Sequence, residues 1–299
     1  MKLDSKFAKQ IDSGNFILTA ECAPGATASG AATEAALKSL GAKPVVVNIS
    51  DNSHGVAVSS VAGSLAALKL GAEPVLQMVT RDRNRIALQS DLLGAASLGI
   101  KNVLCLSGYH QTLIGCPDSA NVFDIDSTQF IELTARMSES GVLADGTKIN
   151  GQFAMLVGAV ANPFLKPMEL NLFRLGKKIE AGAKFIQTHA VFDVKAFTAW
   201  LAAARKEGFT KKAAILASVY PLESADEALK LRETFAEFQI PDAIIERLKK
   251  AGGNGRKEGV AICVEIIKQL KGLEGLRGIH ILSGGREAVV PEIIAAAGL

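Results

Sequence analysis

Short apolar runs alternate along the whole chain with longer stretches of helical periodicity. The runs at residues 16–20, 45–48, 74–79, 102–106, 153–160, 185–188, 213–218 and 278–282 predict eight strands. Helical spacing predicts helices over 31–40, 56–70, 84–98, 127–138, 167–181, 194–206, 224–236, 241–251, 256–270 and 287–297. The strand runs are nearly continuous in apolar residues rather than alternating, the signature of a parallel sheet covered on both faces. Four junctions share a turn, "LGAKPVVV", "LGAEPVLQ", "LGIKNVLC" and "AGAKFIQT". Each Gly reads as a helix C-cap that feeds the next strand. Eight βα units without a long polar linker predict a single-domain α/β fold over residues 1–299. The expected architecture is a (β/α)8 TIM barrel with extra helices near the C-terminal part, rather than a doubly wound sheet. No G-x-G-x-x-G follows a strand and opens a helix, which counts against a dinucleotide-binding Rossmann unit.

Composition narrows the function classes. Hydrophobic residues make up 48% of the 299 residues and aromatics only 5%. The core is therefore built from Ala, Val, Ile and Leu. A formal net charge of +3 gives no basic footprint for nucleic acid. The four cysteines, Cys22, Cys105, Cys116 and Cys263, are scattered with no CxxC pair. This argues against a metal site and for reduced thiols in a cytoplasmic chain. The start of the chain carries no apolar signal region, and no apolar stretch reaches the ~20 residues of a membrane span.

In a barrel of this kind the chemistry stands at the C-terminal ends of the strands. Glu21 ends the first run. A carboxylate there is either held in a salt bridge or used chemically, because burying it alone is costly. Asn48 ends the second run, and the third carries Gln77 and ends at Thr80. The fourth gives Ser107, Gly108, Tyr109 and His110. Asn162 follows the fifth, His189 the sixth and Tyr220 the seventh. The charged run Arg81-Asp82-Arg83-Asn84-Arg85 reads as a solvated helix start. The stretch 241–255 reads as an inserted helix over the mouth with lysines on a solvated face, and Cys116 as incidental.

Several segments, in their order and spacing, resemble the flavin-dependent methylenetetrahydrofolate reductase family. They are "FILTAECAPG", "VVVNISDNSHG", "QMVTRDRNRIALQSDLLGAASLGIKNVLCLSG", "VFDIDS", "GAKFIQTHAVFD", "ASVYPLES", "IPDAI" and "GIHILSGGREAVVPEII". The resemblance runs from about Phe16 to Leu299. It implies a TIM barrel holding FAD, or FMN, at its strand ends. Hydride then passes from NAD(P)H to the flavin and on to 5,10-methylenetetrahydrofolate, giving 5-methyltetrahydrofolate. By the same resemblance Glu21 is the catalytic carboxyl that helps open the folate's five-membered ring. Asn48, Gln77, Thr80, Ser107, Gly108, Tyr109, Asn162 and Lys178 are the cofactor-binding set, Lys178 near the flavin phosphates. His189 and Tyr220 contact the folate. The implied partners are a tetrahydrofolate-type substrate and a second copy or a partner subunit, with neither nucleic acid nor membrane.

The chain departs from the family pattern around the flavin ring. Tyr109 stands where the family has Asp, and Gln77 where it often has His. Cys22-Ala23-Pro24-Gly25 replaces a Phe-Phe-Pro-Pro-like segment. Val160 and Ala161 stand where a Tyr is frequent. These changes are compatible with a flavin of altered potential, FMN in place of FAD, an electron-donating partner subunit, or a related pterin. The alternatives are a flavin-free barrel for a folate or corrinoid methyl carrier, favoured by Tyr109, and a non-catalytic subunit, disfavoured by Glu21.

Overall fold

The computed structural model describes residues 3–299. Its strands are β1 (Ile17–Cys22), β2 (Val46–Ile49), β3 (Pro74–Val79), β4 (Asn102–Leu106), β5 (Leu156–Ala161), β6 (Phe185–Ala190), β7 (Ala214–Val219) and β8 (Leu276–Ile281). They pair in parallel in chain order and close into a barrel, with β8 returning to β1 at Thr19↔His280. The (β/α)8 expectation holds, including the extra helices. Ala225–Thr234 and Asp242–Ala251 precede Gly255–Leu270 between β7 and β8. Among the described residues no helix is long and apolar enough to cross a membrane.

The shared Gly turns act as expected. Gly41, Gly71, Gly99 and Gly182 follow their helices with φ of 72°, 79°, 87° and 117°, a left-handed backbone that only Gly adopts at little cost. Other boundaries moved. β1 starts later and runs to Cys22, so Glu21 lies inside a hydrogen-bonded strand opposite Asn48. The helix expected from Val56 starts at Ser60, where Ser59 caps it by accepting from Ala62 N–H. β5 begins only at Leu156. The last helix is preceded by a 3-10 turn, Glu287–Val289.

Side chains alternate between two layers. Outward residues such as Leu18, Ala20, Ile49 and Met78 pack against the helices. Inward residues, among them Ile17, Val75, Leu104, Leu156, Phe185 and Leu216, fill the lower barrel. Space is made by glycine: a Cβ at Gly158 would sit 2.1 Å from Phe185 Cζ. An additional helix, Lys6–Ser13, closes the bottom. It carries Phe7, fully buried and 4.7 Å from the Phe185 ring. Glu73, just before β3, accepts from the N–H groups of Lys6 and Phe7 at 2.8 and 3.1 Å. The apolar filling therefore ends half-way up, and polar side chains occupy the upper half.

Candidate active site

A cavity of about 380 Å³ opens at the C-terminal ends of the strands. Its floor is polar. Glu21 is 8% exposed and its Oε2 accepts from Gln77 Nε2 at 3.3 Å. Burial pushes the Glu21 carboxyl up to about 7, against the Gln77 hydrogen bond, and the nearby Glu287 adds to the rise. The group can thus carry a proton near neutral pH and give it up. Beside it two amides lock together, Asn48 Nδ2 to Gln187 Oε1 at 2.8 Å and Gln187 Nε2 to Asn48 Oδ1 at 3.1 Å. Thr19 Oγ1 lies 2.8 Å from His280 Nδ1. Burial holds His280 down at about 3, so this imidazole is neutral.

The corner after β4 is built by Gly108. Its φ is 85°, and a Cβ there would crowd Val79 and Arg81 at 3.1 to 3.2 Å. The turn delivers Tyr109 to the cavity wall. Arg81 supports it from behind, donating to the Tyr109 carbonyl at 3.2 Å and to both Asp82 oxygens at 2.6 and 2.8 Å. The Tyr109 hydroxyl donates to Glu237 Oε1. Burial, and then the Glu237 carboxylate, raise the phenol well above its ordinary value. His189, at the top of β6, has its Nδ1 3.9 Å from the same Glu237 oxygen. Burial lowers its pKa, so it is neutral at pH 7.

The opposite wall is Tyr220, held from three sides. Its hydroxyl donates to Glu227 Oε1 at 2.9 Å. The Arg286 guanidinium lies 5.2 Å over its ring and donates to the same Glu227 oxygen at 2.7 Å. Phe238 meets the ring edge-on at 5.6 Å. Phe235 packs on Tyr109 at 4.7 Å and on Phe238 at 6.1 Å. Residues 235–240 thus carry aromatic contacts from one tyrosine to the other. These flat faces suit a planar heterocycle.

A sequence profile described as methylenetetrahydrofolate reductase matches residues 6–298. The chain belongs to the methylenetetrahydrofolate reductase family. It is 25% identical over 143 residues to a probable methylenetetrahydrofolate reductase (NADPH) of Caenorhabditis elegans, an alignment covering 47% of this chain and 21% of that protein. The chain thus matches about a fifth of that relative's length. Among solved structures it is similar to an uncharacterized protein from Clostridium thermocellum that binds two copies of 5-methyl-5,6,7,8-tetrahydrofolic acid. There the TM-score is 0.67 at 13% identity, covering 97% of each chain. Tryptophan synthase from M. tuberculosis shares the fold at TM-score 0.50 and 13% identity, covering 98% of this chain and 96% of that one.

Of the eleven residues singled out from the sequence, nine line the cavity of this reductase-family barrel: Glu21, Gln77, Ser107, Gly108, Tyr109, Asn162, Lys178, His189 and Tyr220. Asn48 sits beneath the cavity, bound to Gln187. Thr80 is fully buried, its backbone joined to Leu106 and Phe123. Lys178 is turned inward, its Nζ donating to the Val160 carbonyl at 2.6 Å, and burial lowers its pKa. Arg174, one turn before it, is a cavity-wall cation with no carboxylate partner among the described residues.

Two sequence readings are corrected. The run 81–85 is not simply solvated. Arg81 is 2% exposed, and Arg83 donates to buried Asp51 at 2.7 Å and to Asp91 at 2.8 Å. Helix Asp242–Ala251 does not cover the mouth. It packs on the helices to either side of it, and no residue of 241–255 lines the cavity. The preceding segment, 235–240, lines the cavity instead, through Phe238. Its Glu237, together with Glu227, Arg286 and Gln187, was missed as part of the site. The one available signal was a carboxylate between two phenylalanines in "TFAEFQ".

Proposed function

We propose that this chain reduces 5,10-methylenetetrahydrofolate to 5-methyltetrahydrofolate, with hydride originating from NAD(P)H. The observation that carries the reading is Glu21, a buried carboxyl raised to about 7 at the floor of the cavity. Opening the folate's five-membered ring breaks the bond between the methylene carbon and N10, and N10 must gain a proton. Glu21 supplies it, and hydride addition to the resulting iminium carbon gives the methyl group. Gln77 holds the carboxyl in place. The Tyr109 and Tyr220 walls orient a flat pteridine over it.

The wall also fits a flavin, FAD or FMN. Gln77, Ser107 and the Tyr109 corner offer polar contacts beside apolar Leu106 and Val160, and Arg174 offers a cation for a phosphate. When bound, the flavin relays hydride between NAD(P)H and the folate. A second, flavin-free reading is favoured by Tyr109, whose ring and hydroxyl are committed to Phe235 and Glu237. On that reading a nicotinamide or a second pterin takes the ring position, in keeping with the Clostridium thermocellum barrel that binds two methyltetrahydrofolates.

The test is the visible spectrum of the purified protein, with the denatured supernatant assayed for FAD and FMN. Flavin absorbance that bleaches with NADH or NADPH and returns with methylenetetrahydrofolate supports the first reading. A colourless protein that still forms methyltetrahydrofolate from NADH or NADPH supports the second. A protein that neither binds nor turns over folate overturns both.

A further inference from the structure

Glu237 has an unusual set of neighbours. It is 8% exposed, yet among the described residues its ion-pair partner is His189 alone, at 3.9 Å. That imidazole is neutral at pH 7, because burial lowers its pKa. A carboxylate removed from water without a full cation is costly unless donors saturate it. Each carboxylate oxygen accepts about two hydrogen bonds. Oε1 receives the Tyr109 hydroxyl, and among the described residues Oε2 receives nothing. Tyr109 and His189 both line the cavity, as does Phe238 from segment 235–240. Glu237 itself lies behind this wall, one contact from the cavity through Tyr109 and His189.

The ligand that satisfies this corner has apolar flat faces and an edge with two parallel N–H donors. Such an edge matches a carboxylate as a guanidinium fork does. In a 2-amino-4-oxopteridine, N3–H and the 2-amino group form that edge. We propose that Glu237 is a specificity-determining residue that accepts both hydrogens of the pteridine edge, with Tyr109 as the positioning residue that holds its carboxylate. The proposal rests on the folate reading and names the group that reads the ring.

Chemistry supplies a discriminating probe pair. Lumazine, the 2,4-dioxopteridine, keeps N3–H but presents an oxygen at position 2, facing a carboxylate with repulsion. A glutamine at 237 offers one acceptor and one donor, which matches lumazine and mismatches pterin. The experiment measures dissociation constants of 5-methyltetrahydrofolate, pterin and lumazine for the wild type, Glu237→Gln, Glu237→Ala and Tyr109→Phe, with circular dichroism to verify folding. The wild type is expected to favour pterin over lumazine by about tenfold or more, the value of one charge-assisted hydrogen bond. Glu237→Gln reverses the preference. Glu237→Ala, which also serves if the Gln variant fails to fold, abolishes it. Tyr109→Phe weakens both ligands and keeps it. A wild-type pterin-to-lumazine ratio that persists in Glu237→Gln and Glu237→Ala overturns the proposal and leaves the folate reading intact. A wild type that binds neither 5-methyltetrahydrofolate nor pterin overturns both.

Discussion

Gln77 Nε2 reaches across β2 from β3 to donate to Glu21 Oε2 on β1, a 3.3 Å contact inside the barrel. The donor favours the charged carboxyl, while burial opposes it more strongly and leaves the group at about 7. Gln77→Met removes that donor at similar volume, so the Glu21 pKa moves further up. A reaction that needs protonated Glu21 fades as pH rises through that value. The alkaline limb of kcat/KM is therefore expected to shift to higher pH in Gln77→Met, as a pH–rate profile would record. An unmoved limb would mean that another group sets it.

Glu21 also bears on stability. Its folded pKa of about 7 lies above the ordinary 4.5, so the native state favours the protonated form. That contribution is complete below pH 4.5 and is lost as pH rises through 7, and the shift is worth roughly 3 kcal/mol. Glu21→Gln has no such titration. It is expected to be more stable than the wild type at pH 8, by up to roughly 3 kcal/mol, and nearly equal at pH 4.5. Its turnover falls by about 10²–10⁴. Thermal melts at the two pH values, set beside activity, check both statements.

Gly158→Ala would put a methyl group 2.1 Å from Phe185 Cζ, in a layer where Phe7 already packs on the same ring. Overpacking of this kind costs about 1–3 kcal/mol. Adding Phe185→Leu should return part of the loss, because the ring is what the methyl meets. Denaturant unfolding of the single and double variants separates this steric account from a backbone one.

Arg83→Met leaves the buried Asp51 carboxylate with the Val79 N–H at 2.9 Å and the Ser60 hydroxyl at 3.2 Å, but no cation. Losing one partner of a buried pair costs about 3–5 kcal/mol. The double variant Arg83→Met with Asp51→Asn should be more stable than Arg83→Met alone. Equal stability of the two variants would show that Asp51 does not need the guanidinium.

Much of the barrel was legible because its information is local. Each apolar run is buried on both faces, and each "LGA" or "AGA" turn places glycine where a helix must end with positive φ. Helix Lys6–Ser13 was not legible, because Phe7 is its single buried residue and the rest is polar. The Arg81–Arg85 run misled for a related reason. The carboxylates that draw Arg83 inward include Asp51 from the β2 loop, and local charge pattern does not reveal such a partner. Glu237 is the extreme case. Its role depends on the path of residues 235–240 to Tyr109 and His189, contacts made far across the sequence.

The plug at the foot of the barrel sets an order of assembly. Phe7 precedes all eight strands in the chain, yet its seat is formed by Glu73 ahead of β3 and by the Phe185 ring on β6. Helix Lys6–Ser13 therefore has no complete seat until β6 exists. It works like a stopper made before its bottle, and the closing of the barrel floor is a late event that reports that the strands above it are in place.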